Sequence, residues 1–236
     1  MAESTALVLL SFDEREALDR LLPRLPRDRF DRVLAIDPGS TDGTLEVYRQ
    51  HGIPVHLQSA RGRGNAFQLA ERVAGTDRIV FFSTDGNEDP ADLPRMLHYL
   101  DEGYDLVIAG RFVLSGADSD DSDDPLWVRK LGNIAYSLIV RLCWRSGVWD
   151  SINGYRALRV DAMRRMRLDA PLHEIELQST IRAAKLGLRI KEFPTREQPR
   201  LGGTRKASAA TWTLGLRIGG FLLREMLIGR RFARPQ

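Results

Sequence analysis

The 236-residue chain has one cysteine, Cys143, and four histidines. A single cysteine excludes an internal disulfide framework and a zinc site built from several cysteines, and it fits a reducing compartment such as the cytoplasm. No stretch approaches the roughly 20 apolar residues that a membrane-spanning helix needs. The N-terminal run has an acidic start and a short apolar segment, which does not predict a secretory signal. With 43% hydrophobic and 28% charged residues, the composition predicts a globular domain and argues against disorder as the main theme.

Positive charge is concentrated at the C-terminal end of the chain. Residues 200–236 hold eight Arg and Lys residues against one Glu, which is a net charge of +7. Subtracting this from +3 for the whole chain leaves −4 for residues 1–199. The basic residues have no recognisable nucleic-acid-binding module around them, so nucleic acid is not a predicted partner.

Apolar runs alternate with helical patterns along the first half of the chain. This alternation predicts an α/β fold, with a parallel sheet covered on both faces and a ligand site beyond the carboxyl ends of its strands. Strands are predicted at 5–10, 32–36, 53–57, 78–82 and 105–110, and helices at 14–25, 43–50, 64–74 and 90–100. Further along, a helix is predicted at 127–145, a strand at 152–159, a helix at 173–187, a strand at 188–194 and a last helix at 207–232.

Residues 115–125, SGADSDDSDDP, form an acidic segment of low complexity. Two interpretations stay open for it. The segment is a solvated, mobile loop, or it is a loop beside the active site, since long loops in compact domains are often functional.

The sequence FFSTDGNEDP at 81–90 places a polar cluster at the end of a predicted buried strand. In an extended segment alternate side chains share a face, so Ser83, Asp85 and Asn87 are expected to point together. Hard oxygen ligands of this kind suit Mg²⁺ or Mn²⁺, which take few protein ligands and complete their shell with substrate phosphates. Asp89 and Asp92 are instead expected to cap the helix that follows. For Asp85 and Asn87, a turn and a metal site are both open interpretations.

Two neighbouring loops add to this interpretation. Asp37 ends the second predicted strand, and GRGNA at 62–66 places Arg63 between two glycines at a helix start, where free N–H groups and a cation suit phosphate. The dinucleotide fingerprint G-x-G-x-x-G fails because its third glycine would be Phe67. A nucleotidyltransferase would need a glycine-rich loop after the first strand, where this chain has SFDERE.

The ordered segments LLSFDERE, IDPGSTDGT, GRGNA, STDGNEDPADLP and GRF together resemble the family 2 glycosyltransferases. WDSINGYRALR and RLGGTRK are similar to the branch of dolichyl- and polyprenyl-phosphate mannose and glucose synthases, so the resemblance spans residues 5–206. It implies a GT-A fold over 1–206, a nucleotide-sugar donor such as GDP-mannose or UDP-glucose, a divalent cation, and inverting transfer to a lipid phosphate. Residues 207–236 would follow as a separate basic amphipathic helix.

The resemblance also implies roles for single residues. Asp85 and Asn87 would contact the Mg²⁺ or Mn²⁺ ion, and Arg111 and Arg129 would hold the acceptor phosphate. A phosphate acceptor needs no strong general base, whereas a hydroxyl acceptor requires a carboxylate to take its proton. Candidates for that base are Asp150, Glu174 and Glu176. The residues expected around the nucleotide sugar are Phe12, Glu14, Asp37, Arg63, Arg200 and Lys206.

The chain departs from the family pattern at three positions. Ser83 replaces the first aspartate of the D-x-D motif, Pro38 replaces the second aspartate of the usual DDGS, and Arg205 replaces a serine. Two alternatives therefore stand beside the lipid-phosphate hypothesis. One is a glycosyltransferase for a soluble hydroxyl acceptor, and the other is an inactive nucleotide-sugar-binding or membrane-associated scaffold.

The last predicted helix carries two stripes. One is apolar and the other basic, which permits a helix docked on the domain with solvated arginines, or an interfacial helix whose basic face meets anionic lipid. The second interpretation predicts a cytoplasmic protein that contacts the membrane peripherally. The apolar stripe comprises Leu214, Ile218, Phe221 and Leu222, and the basic stripe Arg217, Arg224 and Arg231.

Overall fold

The computed structural model describes residues 3–112, 128–202 and 211–233, and for 128–130 and 211–214 it describes the backbone alone. The acidic segment 115–125 lies outside these residues, so both interpretations of it stay predictions. Within the described residues, seven strands form one sheet in the order β3-β2-β1-β4-β6-β5-β7. In chain order the strands are β1 Thr5–Leu10, β2 Arg32–Asp37, β3 Val55–Leu57, β4 Arg78–Ser83, β5 Leu106–Gly110, β6 Arg156–Arg159 and β7 Ile190–Pro194.

Strand β6 runs antiparallel to both of its neighbours, β4 and β5. The other pairs, β1 with β2 and β4, β2 with β3, and β5 with β7, are parallel, which confirms the expected mostly parallel sheet. Because of this reversal, β6 begins at the edge of the sheet where the parallel strands end. We call this the carboxyl edge, and it is where the ligand sites of such sheets lie.

Alternate residues of the central strands face two separate hydrophobic cores. In β1, Ala6 and Val8 belong to one core and Leu7 and Leu9 to the other, and all four are fully buried. Helices α3, α5, α6, α7 and α8 cover the first core, and α1, α2 and α4 cover the second. The sheet is therefore covered on both faces, as predicted. The helices are α1 Arg15–Leu21, α2 Thr44–Gln50, α3 Arg63–Val73, α4 Leu93–Asp101, α5 Val128–Trp144, α6 Val160–Met166, α7 Glu174–Leu186 and α8 Thr211–Ile228.

Several predicted boundaries are wrong, and prolines account for two of them. The helix expected at 14–25 ends at Leu21, because Pro23 lies within a 3-10 turn that follows it. The strand expected at 53–57 begins only at Val55, because the preceding Pro54 has no N–H to donate to the sheet. The helix expected at 90–100 starts as a 3-10 turn at Pro90 before α4 begins.

Two further differences surround β6. The strand expected at 152–159 is limited to its last four residues, since the residues before Arg156 form a turn around Asn153. Helix α6 was not predicted, because its seven residues follow the strand directly and are too few for periodicity to identify a helix. It ends at Arg167, which has a φ of +46°.

Helix α8 packs into the same core as the rest of the sheet. Its Ile218, Phe221 and Leu222 are buried within the first core, as the apolar stripe predicted. Its Glu225 is fully buried and pairs with Lys185 of α7 at 2.7 Å. The described part of the C-terminal segment is thus docked on the domain. The division of the chain between residues 206 and 207 stays a proposal.

Candidate active site

The chain turns sharply after strand β4. Gly86 has a φ of +90°, which residues with a side chain rarely adopt, and a Cβ atom there would lie 2.4 Å from Cγ of Leu201. The turn ends the extended alternation on which the expected common face of Ser83, Asp85 and Asn87 depended. The side chains bond to different partners: Ser83 to Arg63, Asp85 to Arg200 and Asn87 to the Gln198 carbonyl.

The Asp85 carboxylate lies at the carboxyl edge and is bonded to Arg200. The Arg200 Nη1 atom donates to Oδ2 of Asp85 at 2.9 Å, and Nη2 donates to Oε1 of Glu14 at 2.6 Å. The backbone N–H of Asn87 donates to the other oxygen of Asp85 at 3.1 Å. Asp85, Arg200 and Glu14, which the family resemblance linked to metal and donor, thus come together.

The segment that carries Arg200 lies directly on the β4 turn. The backbone N–H of Leu201 donates to the Asp85 carbonyl at 3.0 Å, and that of Gln198 donates to the Asn87 carbonyl at 2.8 Å. The Asn87 amide nitrogen in turn donates to the Gln198 carbonyl at 3.1 Å. Because its nitrogen is used in this way, the Asn87 side chain is oriented by the protein backbone.

The side chains at the turn after β4 offer two oxygen ligands for a hard divalent cation. Asp85 supplies a carboxylate and Asn87 an amide oxygen, which suits Mg²⁺ or Mn²⁺ when phosphate oxygens complete the shell. Among the described residues there is no group of three or more His, Cys, Asp or Glu side chains that could hold a metal without a substrate. A cation here would have to displace Arg200 from Asp85 or share that carboxylate with it.

Of the two aspartates expected to cap the next helix, one does so. Asp89 Oδ1 accepts from the Ala91 N–H at 3.0 Å, which confirms its capping role. Asp92 makes no capping bond, so that expectation is wrong. Its carboxylate instead accepts from Thr195 Oγ1 at 2.5 Å and from Arg95 at 3.0 Å, which ties the 195–202 segment to the β4 region.

Asp37 organises the loop that follows β2. It is fully buried, and its oxygens accept from the N–H groups of Gly39 and Ser40 at 2.7 and 2.6 Å and from the Ser40 hydroxyl at 2.6 Å. These hydrogen bonds fix the conformation of the loop. A direct contact between Asp37 and the base of a nucleotide stays a prediction. On the neighbouring loop, the Arg61 guanidinium lies 4.6 Å from the centre of the Phe12 ring.

Arg63 points inward from the start of α3. Its Nη1 donates to Ser83 Oγ at 3.0 Å, and its Nε lies 2.5 Å from Glu176 Oε1. Its Nη2 lies 3.8 Å from Glu88 Oε1. A Cβ atom at Gly154 would lie 1.9 Å from Arg63 Nη2, so the glycine provides the space that the guanidinium fills. Burial raises the pKa of Glu88 to about 8, although Arg63 and the Ser83 N–H oppose the shift. Arg63 therefore belongs to a buried ion cluster under the β4 turn.

Arg111 and Asp150 form a second buried pair at the carboxyl edge. The Arg111 Nε and Nη2 atoms donate to the two Asp150 oxygens at 2.7 and 3.1 Å, and Nη1 donates to Glu197 at 3.2 Å. Burial alone would raise the pKa of Asp150, but the Arg111 charge and hydrogen bonds hold that pKa below its ordinary value. Asp150 is thus an ionised partner of Arg111, and a poorly placed base for an acceptor hydroxyl.

The two glutamates at the start of α7 are also paired with arginines. Glu176 pairs with Arg63, as described above, and Glu174 pairs with Arg217 of α8. Both carboxylates are buried. The three candidate bases of the sequence analysis are therefore each bonded to a guanidinium group.

Two predicted site residues cannot be assessed in this way. Arg129 lies in the first turn of α5, where the structure describes the backbone alone, and Lys206 lies outside the described residues. The sequence analysis also missed members of the buried clusters. These are Glu88, Glu197 and Arg156, a fully buried arginine that donates to the Glu176 carbonyl at 2.8 Å. The signal that could have identified Arg156 was its place in the turn-forming NGYR segment.

The basic stripe of α8 does not have the expected orientation. Arg217 pairs with Glu174, and Arg224 donates to Asp169 at 2.5 Å. Two of the three arginines are thus bonded to acidic groups of the domain, which contradicts a basic face turned wholly toward lipid. No helix in the described part of the chain is long and apolar enough to cross a bilayer.

Comparisons with known proteins show the family and the fold of the chain. The model of the family described as glycosyl transferase family 2 matches residues 8–167. An uncharacterized glycosyltransferase of Mycobacterium tuberculosis is 30% identical over 208 residues, covering 88% of this chain and 91% of the relative. The undecaprenyl-phosphate mannosyltransferase of Micrococcus luteus is 32% identical over 201 residues, covering 79% and 80%. Glucosyl-3-phosphoglycerate synthase of M. tuberculosis, solved with Mn²⁺, UDP and glucosyl-3-phosphoglycerate, superimposes with a TM-score of 0.71 at 19% identity, covering 100% and 82%.

The fold is the GT-A fold of glycosyltransferases, as the motifs implied. The chain belongs to glycosyl transferase family 2. It is therefore a nucleotide-sugar-dependent glycosyltransferase, and the alternative of an inactive nucleotide-sugar-binding or membrane-associated scaffold is set aside.

Proposed function

We propose that this enzyme transfers a hexose with inversion from GDP-mannose or UDP-glucose to a polyprenyl phosphate, using Mg²⁺ or Mn²⁺. The observation that carries the acceptor class is the pairing of Asp150, Glu174 and Glu176 with arginines. A carboxylate held in this way would have to break a buried ion pair to accept a proton, which is costly. A phosphate acceptor is already anionic and needs no such base.

The donor side of the proposal rests on the turn after β4. Asp85 and Asn87 would hold the divalent ion, which when bound would stabilise the charge that develops on the leaving nucleoside diphosphate. Arg200 would move from Asp85 to the diphosphate, and Lys206 would assist it. Phe12, Glu14 and Asp37 would shape the base site, with Arg63 fixing the position of the β4 turn from below.

The acceptor side of the proposal rests on Arg111. Its guanidinium is held at the carboxyl edge by Asp150 and Glu197, which fixes the position of its positive charge. We propose that Arg111 and Arg129 bind the acceptor phosphate and that Asp150 positions Arg111. A lipid acceptor also implies a cytoplasmic enzyme that works at a membrane surface, with residues 207–236 as an accessory helix of the 1–206 unit.

A soluble phosphorylated acceptor is the second candidate. The superimposed synthase from M. tuberculosis was solved with glucosyl-3-phosphoglycerate, which is a soluble product. The Arg111 site suits any acceptor with a phosphate group. The attacking atom distinguishes the two candidates, because a soluble acceptor that reacts through a hydroxyl would require a free base.

The test uses a radiolabelled donor, a polyprenyl phosphate and Mn²⁺. The wild-type enzyme should produce label that extracts into organic solvent, and NMR of that product should show an inverted anomeric configuration. Asp85→Asn should lower transfer by about a hundredfold to a thousandfold, since the loss of a key electrostatic group costs this much in other enzymes. Circular dichroism would confirm that the variant is folded.

Asp89→Asn is the matched control. It removes a carboxylate four positions further along the same loop, but asparagine caps a helix as well as aspartate does. Its activity should stay close to the wild type. Full activity in Asp85→Asn would refute the metal site, and label that stays entirely in the aqueous phase on a soluble acceptor would refute the lipid acceptor.

A further inference from the structure

Exposed large hydrophobic side chains are concentrated on two helices. Of the ten in the described residues, eight lie on α5 and α8. Single exposed leucines are ordinary on a protein surface, whereas a concentration of them marks an interaction site. We name this set the α5/α8 apolar face, and it comprises Leu131, Ile134, Leu138 and Leu142 of α5 with Leu216, Leu223, Met226 and Leu227 of α8.

On each of the two helices, the exposed apolar residues lie on one side. On α5 the spacing is three or four residues, and on α8 Leu216, Leu223 and Leu227 are seven and four residues apart. Both spacings place side chains along a single stripe of an α-helix. The opposite sides of the two helices are buried, through Val140 of α5 and Ile218 of α8.

The two helices lie side by side against α7. The Tyr136 hydroxyl of α5 donates to the Gly215 carbonyl of α8 at 3.1 Å, near the start of α8. Further along, Lys185 of α7 lies 5.7 Å from the Trp144 ring of α5 and 2.7 Å from the Glu225 carboxylate of α8. The helices therefore run in the same direction, and their exposed stripes belong to one surface.

In the described residues, the exposed charges that α5 and α8 themselves carry are of one sign, and Asp169 beside α8 is paired with Arg224. The described part of α5 contains no Asp or Glu, and the one acidic residue of α8, Glu225, is fully buried. Arginines stand at the end of the face, where Arg145 and Arg230 are exposed and Arg141 stacks on the exposed Trp149 ring. An apolar face with arginines at its end, on two helices whose described residues expose no acid, complements a bilayer with anionic headgroups.

We propose that the α5/α8 apolar face docks the enzyme on the surface of an anionic bilayer. The leucines enter the interface, and Arg145 and Arg230 meet lipid headgroups. This inference rests on the proposed lipid acceptor and replaces the arginine stripe of α8 as the membrane contact, since Arg217 and Arg224 are paired with the domain. Residues 145–149 join α5 directly to Asp150, so the docked face lies next to the Arg111–Asp150 pair along the chain.

The test is flotation of the full chain with vesicles of phosphatidylethanolamine and phosphatidylglycerol. Leu142→Gln combined with Leu216→Gln removes one exposed leucine from each helix, and glutamine is a good helix former, so folding should be preserved. We expect the bound fraction to fall about tenfold or more, because each leucine contributes apolar transfer energy at the interface. Binding of the wild type should be weaker to vesicles of phosphatidylcholine alone.

Leu57→Gln is the matched control. Leu57 is 62% exposed and lies on β3, at the opposite end of the sheet order from β7. It should float like the wild type. Equal flotation of the double variant and the wild type would overturn the proposal. So would a wild-type dimer in sedimentation that the double variant converts to a monomer, because a second copy would then cover the face.

A transfer assay separates this proposal from the proposed function. With a short-chain, water-soluble polyprenyl phosphate, the double variant should keep wild-type activity while it loses activity on long-chain acceptor in vesicles. Failure of the wild type on both acceptors would refute the lipid-phosphate function. Normal transfer on both acceptors by the double variant would refute the docking face and leave the proposed lipid-phosphate function standing.

Discussion

The Arg200 guanidinium holds the Asp85 carboxylate at 2.9 Å, at the point where a cation and a diphosphate would meet in a family 2 glycosyltransferase. The two groups are complementary in charge, so in the absence of donor each satisfies the other. We propose that a nucleotide sugar and a cation would supply the opposite partner to both groups. The cation would be held by Asp85 in place of Arg200, and Arg200 would contact the diphosphate in place of Asp85. The pair would thus be exchanged when donor and cation bind together.

This exchange predicts opposite effects for Arg200→Gln. Without nucleotide, the variant should bind Mn²⁺ several-fold more tightly than the wild type, because no guanidinium competes for Asp85. Its sugar transfer should nevertheless fall about tenfold or more, because a contact to the leaving diphosphate is lost. Calorimetric titration with Mn²⁺ and the transfer assay measure the two effects. Arg196→Gln, an exposed arginine on the same segment, is the control, and unchanged Mn²⁺ affinity in Arg200→Gln would contradict the exchange.

The Arg111–Asp150 pair leads to a second prediction. If Asp150 positions Arg111, then Asp150→Asn should raise KM for the acceptor about tenfold through loss of a charge-assisted hydrogen bond, and leave the pH profile of kcat unchanged. If Asp150 were the base for a hydroxyl acceptor, kcat would collapse and the acidic limb of its pH profile would disappear. Steady-state kinetics over a range of pH measure the difference. Asp161→Asn, at an exposed position of α6, should change neither parameter.

Glu225 should be essential for the docking of α8. It is fully buried and pairs with Arg182 at 2.9 Å and with Lys185 at 2.7 Å. Glu225→Gln removes the carboxylate that Arg182 and Lys185 share and leaves Arg182 with Asp169 as its remaining acidic partner, so we expect the free energy of unfolding to fall by about 3 kcal/mol. The neighbouring Arg224→Gln removes a partly exposed pair with Asp169 and should cost less than about 1 kcal/mol. Urea denaturation of both variants would test this, and equal losses would contradict it.

Glu192 should make stability depend on pH. Burial raises its pKa to about 7 from 4.5, although the N–H groups of Trp149 and Asp150 donate to its carboxylate and oppose the shift. Between these two values the unfolded chain has lost the proton that the folded chain still holds, so the contribution of Glu192 to stability falls as pH rises. In Glu192→Gln this dependence should be absent. Thermal unfolding of both proteins from pH 4.5 to 7 would test it, and parallel curves would contradict it.

Local features of the site could be predicted from the sequence, and its long-range pairs could not. The turn at Asp85 and the cap at Asp89 follow from residues within a few positions, because Asp-Gly favours a turn and Asp before Pro favours a helix start. The Asp85–Arg200 bond joins residues 115 positions apart. Only the resemblance to a known family placed both near the diphosphate, and it did not indicate that they bond to each other.

The ion-pair partners of the arginines could not be predicted from the sequence. Arg63 begins a helix between two glycines, which is typical of a phosphate site, but the space beside Gly154 admits its side chain into the buried cluster. In α8, periodicity placed Arg217 and Arg224 on one stripe. It could not show that Glu174 and Asp169, from another part of the chain, face that stripe.

The reversed strand β6 has a consequence for how enzymes of this architecture diversify. Strands β1 to β4 carry most of the loops proposed for the donor, whereas β5 and β6 carry Arg111 and Asp150, which are proposed for the acceptor. The segment after β7 returns Arg200 to the donor side, where it bonds to Asp85. Under the proposed roles, mutation of the β5 and β6 loops would change which molecule is glycosylated, while the loops of β1 to β4 would go on selecting the same activated sugar.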